Sequence, residues 1–139
     1  MMAGAVYLAD TSVFVLQARP QVRRRFADLL AQGRLAACQM TTLEYLNNAP
    51  DPSGYETLWR ALHGMRWIDV GVQAMDRALE THRLLAAQSQ HRHFRLPDLI
   101  IAATAELAGA TVLHYDANYD RIARVTGQPV EWVAEKGSL

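Results

Sequence analysis

The chain has 139 residues, half of them hydrophobic, and carries 14 basic and 14 acidic side chains, so its formal net charge is zero. That length and composition predict one folded domain over residues 1–139 and exclude a disordered chain, and the neutral balance excludes a general nucleic-acid coat. No apolar run approaches the roughly 20 residues that cross a bilayer, and no basic-then-apolar leader opens the chain; the single cysteine, Cys38, excludes an internal disulfide framework and reads as a small buried hydrophobe, so the expected compartment is the cytoplasm.

The predicted elements alternate. Residues 5–9 read as a buried strand ending at Asp10, followed by a short apolar helix over Ser12–Ala18 that Pro20 stops. Gln21–Gln32 is predicted as a helix with Val22, Phe26, Leu29 and Leu30 on one face and Gly33 as its stop. Leu35–Gln39 is a second strand, and Thr41 or Thr42 is expected to cap the helix that carries Glu44. Asp51-Pro52-Ser53-Gly54 reads as a turn, and Tyr55, Leu58, Trp59 and Leu62 then repeat at helical spacing. Trp67–Val70 is a short strand, and Gln73–Gln88 an amphipathic helix built on Met75, Leu79, His82 and Ala86. A polar loop over Ser89–Arg95 precedes an apolar helix, Pro97–Leu107, stopped by Gly109. Residues 111–115 form a strand ending at Asp116, Tyr119–Thr126 a short helix, and Val130–Val133 a last strand; the tail, about residues 135–139, is expected to fray. Strands alternating with helices imply an α/β fold with a parallel sheet covered on both faces.

Four acids carry the functional signal. Asp10 and Asp116 end predicted strands, Asp98 lies in the first turn of a helix opened by Pro97, and Glu44 lies on the helix after the second strand. Open parallel sheets bind ligands beyond the carboxyl ends of their strands, so these acids are expected to converge. Each also has an ordinary reading: Asp10 can cap a helix, Asp98 can complement a helix dipole, Asp116 can make an Asx-turn, and Glu44 can be a solvated helix residue. Their apolar neighbours weigh against four separate ordinary roles, because carboxylates at the edge of a core are costly unless paired or metal-bound. The only lysine is Lys136, in the tail. Carboxylates converging without a lysine repel one another unless they hold a hard cation, which points to metal-assisted chemistry on phosphates.

The motifs around these acids carry a resemblance. Val6-Tyr7-Leu8-Ala9-Asp10-Thr11-Ser12 resembles the opening of PIN-domain nucleases, Thr42-Leu43-Glu44-Tyr45-Leu46 their second acid, and Leu96-Pro97-Asp98-Leu99-Ile100-Ile101-Ala102-Ala103-Thr104-Ala105, the most specific of the set, their third. Tyr115-Asp116-Ala117-Asn118-Tyr119-Asp120 is similar to the fourth, with Asn118 where many members have a second aspartate. The likeness spans almost the whole chain in the right order, and the size is similar to VapC-type toxins of bacterial toxin–antitoxin pairs. It implies a PIN-like α/β/α sandwich and a Mg²⁺-dependent endoribonuclease, with Mn²⁺ as a substitute, that cleaves single-stranded or loop RNA by metal-activated water. Asp10, Asp98, Asp116 and Glu44 would be the catalytic and metal-holding acids. Thr11, Ser12, Asn118 and Asp120 would be accessory. The expected partners are RNA, a small antitoxin and a second copy of the chain in a homodimer, with no membrane.

Around the acids, Arg92 and Arg95 in the loop before Asp98 are candidate phosphate contacts, weighed against a plain solvated loop. His91 and His93 lack a third partner for zinc. Arg23-Arg24-Arg25 reads as a solvated helix face, the three tryptophans as packing, and Phe14, Leu16, Phe26, Leu58 and Trp59 as candidate antitoxin contacts. Two alternatives stand beside the nuclease. One is a Mg²⁺-dependent phosphotransfer or phosphatase domain, although Ser12 stands where a dehalogenase-like pattern wants an acid and the phosphate-side lysine is missing. The other is a non-catalytic PIN-like module that binds RNA or a partner.

Overall fold

A computed structural model describes residues 4–139. Five strands, β1 (Tyr7–Ala9), β2 (Leu35–Ala37), β3 (Arg66–Trp67), β4 (Thr111–His114) and β5 (Val130–Trp132), form one parallel sheet in the order β3-β2-β1-β4-β5. The chain lays down β1, β2 and β3 toward one edge, then crosses back to build β4 and β5 on the other side of β1. The direction of winding therefore reverses between β1 and β4, and a crevice opens there beyond the strand ends.

Helices cover both faces. Tyr7, Ala9, Leu35, Ala37 and Leu113 face a layer made of α1 (Thr11–Val15), α2 (Pro20–Ala31), α3 (Gln39–Leu46) and α4 (Pro52–His63). Leu8, Ala36 and Val112 face α5 (Val72–Ala86), α6 (Leu96–Leu107) and α7 (Asn118–Thr126). Alternate residues of each central strand are buried on opposite sides, which is why these strands read as unbroken apolar runs. The fold is the expected α/β/α sandwich.

Local chemistry corrects several element boundaries. Pro20 does not merely stop α1; it opens α2, where its fixed φ and missing N–H suit the first turn. Neither Thr41 nor Thr42 caps α3: both lie inside the helix, which starts directly from the strand with Cys38 at its N-cap. Asp51-Pro52-Ser53-Gly54 is the start of α4, with Asp51 Oδ1 accepting from Gly54 N at 2.7 Å. The third strand is shorter than expected because the side chain of Gln39 replaces the ladder beyond Trp67, accepting from Val70 N and donating to Asp69. The polar loop before α6 contains a 3₁₀ turn over His91–His93.

The buried face of α5 is Ala74, Ala78, Thr81 and Leu85, one residue round from the expected stripe. Alanines let α5 lie close against α6, and Arg77 clasps the two helices through both carboxylate oxygens of Glu106, at 2.7 and 3.1 Å. Met75 and Leu79 are left on the rim of a groove that Leu96, Leu99 and Ile100 complete. At the C-terminus, the hydroxyl of Tyr115 accepts from the N–H groups of Gly137 and Leu139, each at 3.1 Å, in the segment expected to fray.

Candidate active site

The crevice between β1 and β4 holds three of the four acids. Asp10 follows β1 directly and its N–H donates to Leu113 O of β4 at 2.9 Å, so the sheet itself fixes its backbone. Asp98 enters from the first turn of α6, and Glu44 from the middle of α3, which leaves β2 at the same sheet edge. One carboxylate oxygen from each of Asp10, Glu44 and Asp98 lies within 4.8 Å of the others.

Each carboxylate is held differently. Asp10 Oδ2 accepts from the backbone N–H of Ser12 at 3.1 Å and from its hydroxyl at 2.6 Å, while Oδ1 accepts from the hydroxyl of Tyr119 at 2.6 Å. Ser12 Oγ in turn accepts from Tyr115 N at 3.1 Å, which ties the end of β4 to the start of α1. Asp10 thus does cap α1, and the capping geometry also fixes the carboxylate at the crevice. Glu44 Oε1 accepts from Thr11 Oγ1 at 2.8 Å, and Oε2 accepts from the guanidinium of Arg95.

Asp98 stands apart. It is 2% exposed, and its Oδ2 is buried with no hydrogen-bond partner; Oδ1 has only the Tyr119 hydroxyl, at 3.5 Å. Burial, and next the charge of Asp10, push its pKa up to about 7. A buried carboxylate oxygen left bare costs free energy. A cation supplied between the three acids would meet that oxygen and offset their repulsion. The donors are all oxygen, the set that hard divalent cations take. The residues therefore fit a divalent metal.

The PIN domain family model matches residues 7–125. Ribonuclease VapC18 of Mycobacterium tuberculosis (strain ATCC 25618 / H37Rv) is 42% identical over 136 residues, covering 96% of this chain and 99% of that protein. The chain belongs to the PIN-domain family. Ribonuclease VapC51 of the same strain is 44% identical over 133 residues, with 96% of each chain covered. Among solved structures, the PIN domain resembles a chain of the DNA-bound VapBC complex from Salmonella typhimurium, with a TM-score of 0.72 at 20% identity over 94% of this chain and 100% of that one, a likeness of fold.

Asp116 does not join the three converging oxygens. Its Oδ1 accepts from Asn118 N at 2.9 Å, the Asx-type contact that starts α7, and its N–H donates to His114 Nδ1 at 3.1 Å. Its charge nonetheless adds to the field that raises the pKa of Asp98. Asn118 opens α7 beside it. Asp120 is committed elsewhere, accepting from Trp132 Nε1 at 3.1 Å and lying 4.0 Å from His114 Nε2. His114 is buried, which lowers its pKa, and its Nδ1 accepts from Asp116 N, so it packs beneath the site of this PIN domain.

Of the two loop arginines, Arg95 pairs with Glu44 at the mouth of the cluster, whereas Arg92 is exposed on the 3₁₀ turn. The ring of His91 lies 5.4 Å from that of His82, edge to face, and Arg25 of the basic run binds Glu131 at 2.6 Å. The residue that sequence reasoning missed is Tyr119. A signal was there: a tyrosine on the apolar face of a short helix, one turn before Ile122, carries a hydroxyl that must find an acceptor when the ring is buried.

Proposed function

We propose that this PIN domain is a Mg²⁺-dependent endoribonuclease, active also with Mn²⁺, that hydrolyses single-stranded or loop RNA as the toxin of a toxin–antitoxin pair. The observation that carries the reading is the convergence of Asp10, Glu44 and Asp98 at the β1–β4 crevice, with Asp98 Oδ2 buried and unpartnered. Asp10, Asp98 and Glu44 would hold the cation, with Asp116 acting from one layer further out, through water. When bound, the cation supplies Lewis-acid polarisation of the scissile phosphate and lowers the pKa of an adjacent water.

The chain's own groups do the remaining work. Thr11 and Ser12 hold Glu44 and Asp10 in place by donating to their carboxylates. Arg95 stands beside the acids with most of its side chain in solvent, 65% exposed, where it can turn from Glu44 to a phosphate of the incoming strand. Water attack on phosphorus with departure of the 3′ oxygen leaves 5′-phosphate and 3′-hydroxyl ends. The phosphotransfer alternative loses support because the only lysine, Lys136, lies over the ring of Trp132.

The partner reading follows from the relatives, which include VapC ribonucleases and VapBC complexes. A groove of about 220 Å³ between α1, α2, α3 and α4, lined by Phe26, Leu30, Tyr45, Leu58 and Met65 among others, offers an apolar track for an antitoxin segment. Phe14 forms its floor and is itself buried, so it is a support and not an exposed contact. The carboxylates beyond would take an arginine whose planar fork bridges two of them. A homodimer would use other exposed apolar surface, and the rim of the α5–α6 groove, with Met75, Leu79 and Leu96, is the candidate. No helix among the described residues is long and apolar enough to cross a membrane, and the proposed compartment, where the RNA is, is the cytoplasm. The test is digestion of synthetic single-stranded RNA by the purified chain, with and without Mg²⁺ and excess chelator; undiminished cleavage in chelator would contradict the proposal.

A further inference from the structure

The phenol of Tyr119 is wholly enclosed, at 0% exposure, in the core that also holds Leu8, Leu99, Ala102 and Ile122. The His114 ring lies 5.0 Å from it, and the Asp116 contact with Asn118 N fixes the helix start just ahead of it. The ring therefore has one orientation, and that orientation brings its hydroxyl under the acid cluster, 2.6 Å from Asp10 Oδ1 and 3.5 Å from Asp98 Oδ1.

The lone pairs of Asp10 can be counted. A carboxylate oxygen has two acceptor directions in the plane of the group. Ser12 fills both at Oδ2, through its N–H and its hydroxyl. Tyr119 fills one at Oδ1. One direction at Oδ1 stays open, and this oxygen shares the Tyr119 hydroxyl with Asp98 Oδ1. A carboxylate held at both oxygens cannot rotate about its Cβ–Cγ bond, so the open direction stays aimed even while neighbouring like charges repel it.

We propose that Tyr119 is a positioning residue for the metal site: its buried hydroxyl locks the carboxylate of Asp10 so that the free direction of Oδ1 points into the space shared with Asp98 and Glu44. The inference rests on the metal site proposed above and names the group that pre-forms it. Groups that hydrogen-bond a metal-holding side chain typically change metal affinity by 10–100-fold when removed. Tyr119→Phe deletes only the hydroxyl and keeps the ring that packs against His114.

The experiment is calorimetric titration of the purified full chain with MnCl₂ after chelator treatment, for the unmodified protein and for Tyr119→Phe. The expected result is an affinity at least tenfold weaker in Tyr119→Phe. An unchanged affinity would overturn the positioning role, since a hydroxyl that merely satisfies itself in the core alters folding stability without altering the affinity of the folded protein. A second measurement does not depend on the variant folding: fluorotyrosine placed at position 119 of the otherwise unmodified chain, followed by ¹⁹F NMR during a Mg²⁺ titration. Its resonance should shift and saturate at the calorimetric midpoint for Mg²⁺; a resonance that stays still while the cation binds would overturn the inference. If the unmodified chain binds neither cation, the metal site itself fails, a result distinct from binding that survives loss of the hydroxyl.

Discussion

The guanidinium of Arg95 bonds the carboxylate of Glu44 at the mouth of the acid cluster, and it also lies in the fields of Asp98 and Asp10. Arg95 thus brings a positive charge to the mouth of these acids. It therefore stands where it opposes metal entry and favours arrival of a polyanion. Arg95→Ala should tighten Mn²⁺ binding several-fold and weaken binding of a non-cleaved RNA, with a shallower dependence on salt. Calorimetry for the metal and filter binding of RNA across 50–300 mM salt would check both. Metal affinity that falls, or an unchanged salt slope, would reassign Arg95 to a surface ion pair of little consequence.

The raised pKa of Asp98, about 7, makes the metal-free protein pH-sensitive in a definite direction. Unfolded, the carboxyl titrates near 3.9. Between about pH 4 and 7 the folded chain thus keeps a proton that the unfolded chain gives up. Rising pH favours unfolding across that window, by up to about 1.4 kcal/mol per unit, and the effect levels off above 7. Melting curves in chelator should show Asp98→Asn flattening this slope. Metal must displace the same proton, so Mn²⁺ affinity should rise by about tenfold per pH unit below 7 and then plateau.

Asp10, unlike Asp98, is held by hydrogen bonds at both carboxylate oxygens. Its carboxylate caps α1 and accepts from the buried Tyr119 hydroxyl. Asp10→Ala removes the cap and orphans a buried hydroxyl, each a loss of about 1–2 kcal/mol. Relief of repulsion cannot offset both, so the metal-free melting temperature should fall. A melting temperature that rises would mean that repulsion among the acids outweighs every hydrogen bond Asp10 makes.

The antitoxin reading predicts that a chain with an apolar helix and a following arginine-bearing segment co-purifies with this protein and blocks its cleavage. Leu58→Glu, in the groove between α1, α2, α3 and α4, should weaken that complex while leaving cleavage of free RNA intact. Equal co-purification of the variant would move the partner to another face.

Much of this was legible in the sequence because strand ends are marked by composition. Apolar runs closing on Asp10 and near Asp116, and Pro97 opening a helix just before Asp98, mark these acids for one sheet edge without any tertiary information; that Glu44 joins Asp10 and Asp98 while Asp116 does not depends on how α3 and α7 pack. The errors have local causes. Gln39 ends β3 through side-chain bonds that no periodicity encodes. The face of α5 was set by close packing of alanines, whereas the larger Met75 and Leu79 mark the rim. Tyr119 and the Arg95–Glu44 pair depend on side chains 109 and 51 residues from their partners, distances over which sequence order carries no signal.

Cleavage of RNA by this chain should require both a divalent cation and the three converging carboxylates of Asp10, Glu44 and Asp98. The most direct measurement is cleavage of a 5′-labelled single-stranded RNA panel by the purified chain and by Asp98→Asn, each with Mg²⁺ and with excess chelator. The unmodified chain with Mg²⁺ should yield fragments with 3′-hydroxyl ends on the 5′ side of each cut and 5′-phosphates on the other. Chelator, and the substitution with its fold intact by circular dichroism, should each abolish them. Cleavage by folded Asp98→Asn at the unmodified rate, or fragments carrying cyclic phosphate ends, would contradict hydrolysis by a metal-activated water held at Asp98.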